Sequence, residues 1–164
     1  MLKRRYVLMA GVGGLAILAA QRFGLAPSAP AAEDFEIKHT DAEWRALLAP
    51  DQYAVLRRGG TERPFSSPLD HEDRAGVFAC AGCRLLVFSS AAKFDSHTGW
   101  PSFSAPLENA VATSDDHWLG ILRTEVHCRR CGGHLGHVFD DGPPPTGRRY
   151  CMNGVAMTFA ATSA

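Results

Sequence analysis

The chain has no surplus of charge. Its 17 Lys and Arg balance 17 Asp and Glu, so it lacks the basic excess that a phosphate backbone demands. It also lacks an apolar stretch of the ~20 residues needed to cross a ~30 Å hydrocarbon core as a helix. The longest such run, Tyr6–Ala20, spans about 15 residues, roughly 22 Å of helix. No internal repeat of roughly 20–50 residues is present, and no helical period survives beyond Thr61. Nucleic acid is therefore excluded as a partner recruited by charge, and a repeat array is excluded as an architecture. What is there, 164 residues with 46% hydrophobic and 21% charged, suits one ordinary domain plus a short extra segment.

The extra segment is at the start. Lys3-Arg4-Arg5 precedes the apolar run, and a small-residue stretch, Ala26-Pro-Ser-Ala-Pro-Ala-Ala32, follows it. These are the three parts of an export signal, expected over residues 1–32 with cleavage near Ala31 or Ala32. Arg4-Arg5 resembles a twin-arginine pair, although Lys3 stands where Ser or Thr is usual; a Sec signal is the alternative. The expected location is the periplasm, reached as a released protein or, alternatively, as one anchored in the inner membrane and facing it. The domain is expected over 33–164. Residues 1–31 hold four basic residues and no acid, so the remainder carries 13 basic against 17 acidic residues, a net charge of −4.

Thr40-Asp-Ala-Glu43 has the form of a capping box, with Trp44, Leu47 and Leu48 as an apolar stripe. This predicts a helix ending at Ala49, before Pro50. A second helix is predicted over Asp51–Arg58, ended by Gly59-Gly60. After Thr61, short apolar runs alternate with Gly, Pro, Ser and Asp clusters. Strands are predicted at Gly76–Cys80, Arg84–Phe88, Trp118–His127, Val138–Phe139, Arg148–Asn153 and Val155–Ala160. The fold class is mainly β and antiparallel, with a small helical N-terminal cover.

Five cysteines are present. Cys80-Ala-Gly-Cys83 and Cys128-Arg-Arg-Cys131 are two C-x-x-C pairs, and two such turns complete the tetrahedral shell preferred by Zn²⁺. A structural Cys₄ zinc site is expected. Two disulfides, or one redox pair of the thioredoxin type, are the alternatives in an oxidising compartment. A closed four-sulfur shell leaves no open position, so the metal would stabilise the fold rather than act in chemistry.

Cys151 is left over, which points to a reactive thiol. On a strand over 148–153, Arg149, Cys151 and Asn153 share one face while Tyr150 and Met152 point the other way. A cation on that face favours the thiolate, the nucleophilic form. His134 and His137, in a glycine-bordered stretch that reads as loop entering strand, are candidate proton donors. Trp100, held extended before Pro101, is a candidate wall for an apolar pocket.

Together these segments resemble the B-type peptide-methionine sulfoxide reductases, which act on the R epimer. The resemblance is carried by Tyr53–Phe65, Lys93–Ser96, Gly99-Trp-Pro-Ser-Phe103, His134-Leu-Gly-His-Val-Phe139, Asp141–Pro143 and Arg148–Asn153, and covers roughly 40–160. It implies two antiparallel sheets with helices outside. It implies that Cys151 attacks the sulfoxide sulfur, that His134 and His137 bind and protonate the oxygen, and that Trp100 holds the methyl end. Arg149 and Asn153 would support the thiolate and its surroundings. The expected substrates are oxidised proteins, with a thiol as reductant and a monomer as the working unit. Many members of that family carry a resolving cysteine just before Gly-Trp-Pro-Ser-Phe; Thr98 stands here. A one-cysteine version is therefore expected, dependent on an external thiol, whether a thioredoxin-like protein or a small molecule. The rival readings are a zinc-ribbon binding module and another thiol enzyme, such as a peroxide reductase.

Overall fold

A computed structural model describes residues 34–162 apart from Leu119. These belong to one unit, Glu33–Ala164. The expected export segment, 1–32, lies outside the described residues.

Two helices come first. The Thr40–Glu43 capping box forms reciprocally: the Glu43 N–H donates to Thr40 Oγ1 at 3.3 Å and the Thr40 N–H to Glu43 Oε2 at 2.7 Å. It opens α1, Asp41–Leu47, which buries Trp44. The helix stops at Leu47, two residues before the expected Ala49: Pro50 holds Ala49 in extended backbone, and Leu48, the C-cap, is extended as well. Pro50 then starts α2, Pro50–Arg58, which buries Tyr53, Val55 and Leu56. Gly59, at φ +65, closes α2 with its N–H on Val55 O.

Among the described residues nine strands follow: β1 Gly76–Cys80, β2 Leu86–Ser89, β3 Lys93–Phe94, β4 Ser102–Phe103, β5 Val111–Trp118, β6 Ile121–Cys128, β7 His134–Phe139, β8 Arg149–Met152 and β9 Met157–Ala161. They form two antiparallel sheets, of order β2-β1-β9 and β3-β4-β8-β7-β6-β5. The expected fold class holds. Phe103 of the larger sheet joins the two, stacked on Phe88 at 4.3 Å between centroids and edge-on to Phe78 at 4.9 Å; all three are fully buried.

Several strand expectations change. The single strand Trp118–His127 is the second half of a hairpin, β5–β6, with the turn at Gly120, φ +79. β2 starts at Leu86 rather than Arg84, whose φ of +61 takes it out of the strand. β7 begins four residues before the expected Val138, so His134 and His137 are in a strand rather than a loop. Gly154–Ala156 is a 3₁₀ turn that delays β9 to Met157. Among the described residues, no helix is long and apolar enough to cross a membrane.

Candidate active site

Cys151 sits on β8 between two partners fixed by strand register: Ser102 on β4 and His137 on β7 are its Cα neighbours. In an antiparallel ladder such opposed residues project to the same face. His134 and His137 are three apart, which in a regular strand would put them on opposite faces. A β-bulge removes the conflict. β6 advances one residue, Val126 to His127, while β7 runs from Gly136 back to His134, and the two imidazoles meet at 5.3 Å.

The cavity around the thiol has a volume of about 140 Å³ and is lined by Thr61, Trp100, Arg123, Gly136, His137, Phe139, Cys151 and Asn153. No other cysteine lines it. Trp100 is held by its indole N–H, which donates to Glu62 O at 3.2 Å. The Glu62 N–H in turn donates to Asn153 Oδ1 at 2.9 Å, and Asn153 Nδ2 donates to Leu135 O at 3.1 Å. Asn153 is therefore fastened from both ends of its amide, 3% exposed. The hydroxyls of Ser96, Thr98 and Ser102 form a chain beside the thiol, with Thr98 Oγ1 at 4.0 Å from Cys151 Sγ.

Arg149 is gripped by Asp141 in a bidentate pair at 2.9 and 2.8 Å, and its guanidinium lies 4.6 Å over the Phe139 ring. Burial pushes the Cys151 thiol above its ordinary value, against the pull of Arg149 and of the Thr98 and Ser102 hydroxyls. Arg149 pulls the thiol toward its ionised form, but in the resting site desolvation outweighs that pull. Burial also pushes His137 below the usual imidazole range, opposed by its bond to Asp116.

Two groups escaped sequence reasoning. Glu125 Oε1 lies 2.7 Å from His134 Nδ1, and Asp116 Oδ2 lies 2.8 Å from His137 Nε2. The bond to His134 is the largest of the forces that hold the Glu125 carboxyl down, at about 2. Both carboxylates come from the β5–β6 hairpin. The alternation Ser114-Asp-Asp116 against Arg123-Thr-Glu125 is the available signal, hidden because the sequence predicts no strand over 111–118.

The other four cysteines converge away from this cavity lining. Their sulfurs all lie within 4.8 Å of one another, with Cys80 to Cys131 at 3.8 Å and Cys83 to Cys128 at 3.4 Å. A disulfide needs sulfurs about 2.05 Å apart, and none is formed. Tetrahedral bonds of ~2.3 Å to one Zn²⁺ set sulfur–sulfur edges near 3.8 Å. The cluster thus fits a metal of that kind. Each pair ends in the same way, with a left-handed residue straight after its second cysteine: Arg84 at φ +61 and Gly132 at φ +66. His134, three residues beyond Cys131, is bonded to Glu125. The helical cover is tied to the second turn by Arg57, which donates to Cys131 O at 2.9 Å and stacks over Trp44 at 4.7 Å.

The SelR domain family matches residues 48–161. The chain belongs to this family. Its relatives include the peptide methionine sulfoxide reductases MsrB of Bradyrhizobium diazoefficiens, 53% identical over 125 residues (76% of this chain, 90% of the relative), and of Pseudomonas putida strain W619, 54% identical over 125 residues (76% and 94%). The MsrB of Agrobacterium fabrum is 50% identical over the same length (76% and 93%). An oxidoreductase of the MsrB family is the result. Among solved structures, the Mis18 'Yippee-like' domain is similar with a TM-score of 0.45 at 22% identity, over 56% of this chain and 100% of that one.

Proposed function

We propose that this protein reduces the R epimer of methionine sulfoxide in oxidised proteins, with Cys151 as the attacking sulfur and as the only cysteine in the cycle. MsrB membership supports methionine sulfoxide reduction and protein repair in general. The observation that carries the finer reading is the β7–β8 register, in which His137 stands directly opposite Cys151 in a cavity that Trp100 also lines.

The Cys151 thiolate attacks the substrate sulfur while a proton reaches the sulfoxide oxygen from the His134–His137 pair. The substrate S–O bond breaks, methionine leaves, and Cys151 retains the oxygen as sulfenic acid. One thiol then displaces water to give a mixed disulfide, and a second thiol releases Cys151. Arg149, oriented by Asp141, stabilises the thiolate once substrate arrives. Trp100 contacts the substrate methyl, and Asn153 keeps the cavity wall in place. With Thr98 rather than cysteine beside the thiol, the reductant comes from outside, as a thioredoxin-like protein or a small thiol. Cys80, Cys83, Cys128 and Cys131 hold a structural zinc ion. The working form is a monomer of residues 33–164, exported by the signal at 1–32 to the periplasm.

The test supplies each epimer of peptide methionine sulfoxide with dithiothreitol to wild type and Cys151→Ser, and mass spectrometry follows a single turnover in a separate sample without added thiol. Activity confined to wild type and to the R epimer, with Cys151 found as sulfenate, is the expected result. Turnover by Cys151→Ser, preference for the S epimer, or an internal disulfide at Cys151 would overturn the reading.

A further inference from the structure

The β5–β6 hairpin carries two cross-strand pairs, Ser114 opposite Glu125 and Asp116 opposite Arg123. Each pair offers one carboxylate to one histidine of β7. Ser114 Oγ donates to the far oxygen of Glu125 at 2.9 Å, leaving Oε1 for His134 Nδ1. Arg123 Nη2 donates to Asp116 Oδ2 at 2.6 Å, the same oxygen that meets His137 Nε2. Thus the carboxylates grip different nitrogens on the two rings.

An ionised carboxylate can only accept hydrogen bonds, so each ring nitrogen it touches must carry a hydrogen. Hydrogen bonds from the histidines hold both carboxyls below their ordinary range, so both are ionised near neutral pH. The nitrogen left over on His134, Nε2, is buried and has no hydrogen-bond partner among the described residues. A buried imidazole nitrogen without a partner costs free energy unless something fills its place.

We propose that Glu125 and Asp116 are positioning residues that lock the two neutral histidines into opposite tautomers, His134 as Nδ1–H and His137 as Nε2–H. The pair then leaves two different nitrogens free of a carboxylate, Nε2 of His134, which is buried, and Nδ1 of His137, whose ring lines the cavity with Cys151. With Nδ1–H held by Glu125, any further proton on the His134 ring can be carried and given up only at Nε2. The ring returns to its starting tautomer without flipping, ready for the next cycle. The catalytic consequence rests on the function proposed above; the tautomers do not.

The experiment is ¹⁵N NMR of the full chain with ¹⁵N-labelled histidine, at mildly alkaline pH where neutral imidazoles dominate. Wild type is expected to show Nδ1–H for His134 and Nε2–H for His137. Glu125→Gln should release the tautomer of His134 alone, and Asp116→Asn that of His137 alone. Each should lower kcat about 10- to 100-fold, a part of what a placed proton donor supplies, with KM changed less than about twofold. The opposite tautomers in wild type, or rings indifferent to these changes, would overturn the assignment. Disturbance of both rings by either variant would also do so, since it marks a collapsed site rather than a lost lock. Released tautomers with unchanged kcat would remove the positioning role. Absence of sulfoxide reduction in wild type would sink the function while leaving the NMR result to decide the tautomers.

Discussion

Gly136→Ala is the sharpest test of the geometry around Cys151. Gly136 lies in β7 between the two histidines and opposite Met152 of β8. A Cβ there would lie 2.1 Å from the Cys151 carbonyl oxygen and 2.9 Å from Met152 Cα. The first obstacle is backbone, so no side-chain rotation relieves it. Ordinary contact begins near 3.4 Å, so β7 and β8 must part by roughly 1 Å at the position where His137 faces the thiol. Overpacking of this kind costs about 1–3 kcal/mol. For a domain of this size that is a fall in Tm of very roughly 3–12 °C. Activity should suffer more than stability, because a misplacement of about 1 Å in a reacting pair costs around 100-fold. Urea unfolding and kcat/KM for a sulfoxide peptide, measured on the same preparation, separate the two effects. A variant as stable and as active as wild type would refute the close approach of the two strands and the role given to it.

Replacing Cys80 with Ser removes one of four sulfurs from a buried cluster, and the expected result is loss of bound zinc together with cooperative folding, read by metal analysis and circular dichroism. Intact folding with less than about one zinc per chain in wild type would remove the metal from the account. Glu125 titrates at about 2 in the folded protein against a reference of 4.5. A folded value below the unfolded one means its contribution is complete above the reference and fades as pH falls toward about 2; the acid limb of a stability–pH curve should flatten in Glu125→Gln. Thr98→Cys would bring a second sulfur to where Oγ1 now stands, 4.0 Å from Cys151 Sγ. After turnover that variant should hold an internal 98–151 disulfide by mass spectrometry, and its recycling should depend less on the outside thiol.

How far the site could be read in advance depended on the range of the pattern involved. Thr40–Glu43 and Pro50 mark helix starts through contacts within four residues, and the two helices followed to within two residues. The paired C-x-x-C motifs declared a cluster because each turn is local and four thiols have few other uses; the convergence of their sulfurs bears this out. By contrast β5 was missed. It is the edge of its sheet and mixes charged and polar residues along its length, so no apolar alternation announces it. With it went Asp116, and with the hairpin read as one strand, the partnership of Glu125 with His134.

The amino-acid sequence by itself determined the inventory: a leftover cysteine, two nearby histidines, a Trp-Pro loop and four sulfurs in two tight turns. Those are local facts, set by residue type and spacing over a few positions. The tertiary structure alone decided which groups meet. A bulge of one residue brought His134 and His137 to one face, strand register set His137 against Cys151, and a hairpin more distant in the chain supplied the carboxylate for each ring. It also decided that burial outweighs Arg149 at the resting thiol. Such contacts depend on how strands slide past one another, and a shift of one residue reverses every side chain; that choice is made by the packing of the whole sheet.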